Sequence, residues 1–154
     1  MDELYNWILF GHIIGAAIWF GGAVAYEGLG GVAKRTGKAS EYTRYIYTAM
    51  KTSGVIMPIA AFMTLGFGIW LVVQSNDVWS FSDTFISIGF AAAIIGIGLG
   101  VFMMMPQGKK LAALVEANGF DDPEAGAIAR KIGMADHFQT LIVTIAMVAM
   151  VFKF

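Results

Sequence analysis

Four long apolar runs, each close to the thickness of a bilayer's hydrocarbon core, constrain this chain more than any other feature. They extend from about Leu4 to Tyr26, from Ser53 to Val73 with Pro58 inside, from Thr84 to Met105 with Pro106 closing the run, and from Met134 to Phe152. A helix rises ~1.5 Å per residue, so roughly 20 residues cross such a core. Each run therefore reads as a transmembrane helix. The composition agrees, with 58% hydrophobic and 14% charged residues against about 25% charged in soluble domains. The first run is too long for a signal-peptide core, and its flank is acidic (Asp2, Glu3), so it is expected to be retained.

The charges between the runs set the expected orientation. Lys34, Arg35, Lys38, Arg44 and Lys51 lie between the first and second runs, and Lys109, Lys110, Arg130 and Lys131 between the third and fourth. The N-terminus and the link from Gln74 to Asp83 carry only Asp2, Glu3, Asp77 and Asp83. By the positive-inside rule the basic connections are cytoplasmic and both termini face outward. The expectation is an all-α, integral membrane four-helix up-down bundle, one domain over residues 1–154, in a bacterial-type inner membrane. Ser40 is expected to cap a helix leading into the second run, and Asn118-Gly119 to stop one. Asp122-Pro123-Glu124 supplies a cap, a first-turn proline and a first-turn acid for the last helix. Asn76, Asp77, Trp79 and Phe81 suit an outer turn with interfacial aromatics, level with Tyr5 and Trp7. Gly11 with Gly15, and Gly89, Ala93, Gly96 and Gly100, form small-residue stripes through which helices approach closely in lipid.

Several function classes are excluded early. A net charge of −1 with no long basic stretch argues against nucleic acid. With no cysteine there is no disulfide, thiolate site or iron–sulfur cluster. No P-loop, nucleophile elbow or HExxH pattern occurs. An ion path needs several intramembrane ionisable groups, whereas mid-run there is His12 and little beyond Thr64, Ser87 and Thr144.

His12, in the stretch GHIIGAAIWFGG, is therefore the residue to explain. An ionisable side chain in a lipid-spanning helix marks a candidate functional site, although an imidazole can also serve as packing glue between helices. On a helix it shares a face with Ala16, Trp19, Ala23 and Tyr26. A ligand, small neighbours and aromatic walls suit a flat apolar cofactor whose metal the imidazole reaches, and equally suit a tight helix contact with Trp19 facing lipid. Met147 lies near His12 in height and offers a thioether as second axial ligand. His137 lies ~10 Å lower than His12 at the helical rise, which makes it the less preferred axial partner, since two axial nitrogens must approach within about 4 Å. Glu27 and His137 both lie near the cytoplasmic surface, where they have room to be neighbours. Glu27 reads as an acid paired with a basic side chain and Asp136-His137 as a hydrated helix start, against which stands a small metal or proton site made by Glu27 and His137. About 22 Å of helix keeps Glu27 from sharing a metal with His12.

His12 with Trp19 and Gly21-Gly22, Met57-Pro58 with Gly68-Ile69-Trp70, Trp79-Ser80-Phe81 and Met105-Pro106 together resemble a family of small four-helix integral membrane proteins of unknown function. The first helix is more distantly similar to that of CopD-type copper-resistance membrane proteins and of HemJ-type protoporphyrinogen oxidases. The latter resemblance implies haem b on His12. It also implies a lysine on the third helix, where this chain has none before Lys109 and Lys110, which argues against the oxidase activity. The leading expectation is a haem b protein in electron transfer or haem handling, in a homo-oligomer or docked on a larger membrane complex. The alternatives are a cofactor-free structural or assembly subunit and a copper-handling protein. For copper, Met103 to Met105 are candidate ligands, although consecutive helical residues point apart.

Overall fold

A segment that crosses a bilayer must satisfy its backbone hydrogen bonds internally, which favours helix despite the glycines in the first three runs. The computed structural model, which describes residues 3–76 and 78–153, is helical throughout its regular parts. Helix α1 spans Glu3–Arg35, α2 Ala39–Val73 and α3 Thr84–Gly98. A π-helical segment, Leu99–Met104, joins α3 to α4, Met105–Asn118, and α5 spans Pro123–Phe152. No strand occurs among the described residues. Four helices, counting Thr84–Asn118 as one, are long and apolar enough to cross a membrane. Their outward faces carry side chains such as Trp7, Val55, Phe102 and Phe152, as befits a multi-pass membrane protein.

Short links make consecutive helices antiparallel. Thr36, Gly37 at φ 73° and Lys38 turn the chain between α1 and α2. Both termini and the 74–83 link therefore lie at one end, the terminal end; the basic links lie at the other, the basic end. Asp2 and Asp77, part of the charge pattern, lie outside the described residues. Buried Ser75 holds the 74–83 link by donating to Val72 O and accepting from Trp79 N. α5 touches every other helix and packs most extensively on α3, while α1 packs most extensively on α2.

The helices outrun the expected spans at the basic end. α2 has 35 residues, or ~52 Å at the helical rise, against a bilayer core of about 30 Å. The excess builds its own apolar core, in which Leu111, Ala125 and Ala129 are completely buried against Tyr42, Ile46 and Ile128. A second cluster, Trp19, Ala60, Ala61, Ala93 and Val143, lies at mid-bundle.

Two local expectations need correction. Pro106 does not close the third helix. Proline's ring clashes with the carbonyl four residues back; here the preceding turns widen, and Met105 N donates to Gly100 O, five residues back, so the helix continues to Asn118. Ser40 does not cap α2 either, because the helix begins at Ala39 with Lys38 in the cap position and no side-chain cap. By contrast, Asn118 ends α4 before Gly119 at φ 87°, and the Asp122 side chain accepts from Glu124 N and Ala125 N to start α5.

Candidate functional site

His12 is placed by the contact of α1 with α2. Gly15, one turn on, sits so close to α2 that a Cβ would lie 2.9 Å from Thr64 N and 3.1 Å from Ala60 O. That approach brings the imidazole edge against Gly68, whose added Cβ would lie 3.2 Å from the ring. At this spacing His12 Nδ1 lies 2.8 Å from Thr64 O. A carbonyl only accepts, so Nδ1 carries the proton and donates. The Thr64 hydroxyl donates to Ala60 O at 2.8 Å and does not compete for the ring. The neutral ring then presents Nε2 as an electron-pair donor, the tautomer and orientation that metal-binding histidines take from a carbonyl partner.

Beside His12 lies a cavity of about 370 Å³ at the terminal half of the bundle. Ala16, Trp19, Leu65, Phe90 and Val143 line it, with Met147 and Met150 from α5 and Lys153 at its rim. Its size falls within the ~300–1,000 Å³ of small-molecule sites, and its mostly apolar wall with few polar groups is their usual make-up. Trp19 is 4% exposed and so does not face outward; an added Cβ on Gly96 would meet its Cζ2 at 2.7 Å, which shows why a glycine stands opposite the indole.

The structure brings His12, Ala16, Trp19 and Met147 to this one cavity. Ala23 does not join them. It lies three turns beyond His12, ~16 Å along the helix, and with Tyr26 lines a separate cavity on the other side of Trp19. Glu27 and His137 meet at the basic end, where His137 Nδ1 hydrogen-bonds Glu27 Oε1. The His137 side chain is largely exposed and outside the His12 cavity. Glu27 is thus partnered by histidine instead of by a lysine or arginine from the basic links. Among the described residues, no three of His, Asp and Glu converge on a metal-sized site. Met104 packs on the basic-end core and Met105 is exposed, and both also line the separate cavity beyond Trp19.

Two features beside these cavities lie outside the set read from sequence. The Thr64 carbonyl carries no side-chain signal and depends on helix register. Gln139 had a visible signal, as an amide inside the fourth run, and its Oε1 is buried with no hydrogen-bond partner among the described residues. Comparison with family models, curated proteins and solved structures finds no match to this chain.

Proposed function

We propose that this chain is a multi-pass membrane protein of the bacterial inner-membrane type, with cytoplasmic basic links and both termini outside. It binds haem b in the cavity beside His12, with electron transfer or haem handling as its role. One observation carries the reading: the Thr64 carbonyl fixes the tautomer and angle of His12 next to a mostly apolar cavity of about 370 Å³. An imidazole kept only as helix glue needs no such space beside it. His12 would hold the iron through Nε2, Met147 is the second candidate ligand, and Ala16 and Trp19 wall the pocket. When bound, the haem supplies one-electron chemistry, with a potential that a thioether ligand raises.

A second reading has its own support. Gly21 and Gly28 have nothing within 4 Å of an added Cβ and lie on the exposed surface of α1. They leave room for a neighbouring helix to approach, as in a cofactor-free assembly subunit or a homo-oligomer. An absorption spectrum of the detergent-purified protein separates the readings. The haem proposal expects a Soret band in the native protein, or after haem is added back, and its loss in His12→Ala. A folded protein that stays colourless with added haem overturns it in favour of the scaffold. Retained copper without a Soret band overturns it in favour of copper handling.

A further inference from the structure

The second cavity, beyond Trp19 toward the basic end, encloses about 120 Å³. An engineered apolar cavity of about 150 Å³ holds benzene, so this one takes a compact group of that size or slightly less. Trp19, Tyr26, Tyr45 and Phe62 bring four aromatic side chains to its wall, and among the described residues no lysine, arginine or histidine lines it. Its one acid is Asp136. This residue lies well inside α5, Pro123–Phe152, and so is not the hydrated helix start read from the sequence. Ile132 and Gln139, four residues before and three after, line the same cavity; that spacing puts Asp136 between them on the face α5 turns toward it. The Thr140 hydroxyl bonds the Asp136 backbone carbonyl, but nothing among the described residues bonds or ion-pairs the carboxylate. Gln139 Oε1 is the only buried side-chain nitrogen or oxygen there without a partner, so the unpaired Asp136 oxygens keep accessible surface. Glu27, by contrast, is engaged by His137. A half-buried carboxylate on an apolar wall without a counter-charge is costly, and a cation in front of it offsets that cost. The rim includes Phe62 at 55% and Val101 at 40% exposure, apolar side chains from α2 and the π segment, so the opening faces sideways through the apolar flank of the bundle.

We propose that this cavity binds the head of a lipid-soluble organic ammonium ion, a methylated amine carrying an apolar tail. The Asp136 carboxylate supplies the counter-charge, the aromatic wall surrounds the methyl groups, over which the positive charge is spread, and the tail leaves between α2 and the π segment. A metal ion lacks ligands here, since no three of His, Asp and Glu converge among the described residues. The inference goes beyond the haem reading and rests only on the membrane-spanning one, since tail and opening both belong to the lipid phase.

The test uses radiolabelled hexyltrimethylammonium and 2,2-dimethyloctane, its uncharged carbon analogue with the same head shape and tail. Equilibrium binding is measured on the full chain in detergent, with uptake by protein-free micelles subtracted. The cation is expected to bind one to one, and an excess of the alkane to leave it bound. Asp136→Asn, which keeps the shape and removes the charge, should weaken the cation at least about tenfold, as loss of one partner of a close charge pair does. Gly100 lines the cavity with nothing within 4 Å of an added Cβ, so Gly100→Leu should fill the space and abolish binding. Displacement of the cation by the alkane overturns the proposal and marks a lipid-chain pocket, whether or not Asp136→Asn folds. No binding by the native protein, native-strength binding by Asp136→Asn, or full binding by Gly100→Leu overturns it too. His12→Ala should bind the cation normally, which keeps failure of the haem reading distinct from failure of this one.

Discussion

At Gly15 the absence of a methyl group decides how closely α1 and α2 pack. An added Cβ would meet Thr64 N, Thr64 Oγ1 and Ala60 O at 2.9, 2.9 and 3.1 Å, and backbone atoms cannot swing aside as a side-chain end can. Gly15→Ala is therefore expected to destabilise the fold by about 1–3 kcal/mol, the usual cost of overpacking, and to loosen His12 from Thr64 O. Gly21→Ala, with open space around it, should be neutral or stabilise by up to about 1 kcal/mol through helix propensity. Thermal denaturation in detergent compares the two; equal effects would show that the close approach at Gly15 does not matter. The Gly11–Gly15 spacing was legible in the sequence as a contact surface, and His12 as the residue beside it. The bond to Thr64 O was not, because a backbone acceptor has no residue identity and its height depends on how α1 and α2 are offset by the Thr36–Lys38 turn.

The corner between α4 and α5 concentrates several local devices in a few residues. Gly119 sits at φ 87°, ψ −179°, a region open essentially to glycine alone, so Gly119→Ala is expected to cost about 1–3 kcal/mol in the same denaturation assay. Asp122 accepts from Glu124 N at 2.7 Å, from Ala125 N at 2.9 Å and from Asn118 Nδ2 at 2.7 Å. The bond from Ala125 N chiefly, and that from Asn118 next, hold its carboxyl below the ordinary value of 3.8. A depressed acid stabilises the fold fully above its unfolded pKa, and the contribution is lost as pH falls through the folded one. Asp122→Ala should thus melt lower than the native protein at neutral pH, with the gap closing below pH 3.8; a gap that persists unchanged into acid would mean the charge is not what caps α5. This corner was readable in advance because cap, proline and glycine act within one turn. The π segment was not. Pro106 signals a stop, and only the structure shows that widening the turns from Leu99 to Met104 removes the clash instead. The same widening alters the stripe read across the third helix, so that Gly89 and Gly96 face Met150 and Trp19 while Gly100 faces open space.

For the molecule as a whole, charge and apolar length were legible as four spans with alternating links, and the four long helices match that reading in number and order. The helical extensions at the basic end were not legible as a core, because their apolar residues are scattered among lysines and glutamates and converge only on folding. Orientation is testable directly, since the chain has no cysteine. A membrane-impermeant maleimide should label Ser82→Cys on intact cells, and Ala117→Cys only after the membrane is opened; the reverse pattern would invert the topology. The two cavities were not legible at all, because they arise from what neighbouring helices fail to fill. Trp19 borders both. A guest that displaced this shared indole from one side would reshape the chamber on the other. Linkage makes that influence mutual: any tightening or loosening one guest imposes on the second is returned by the same factor.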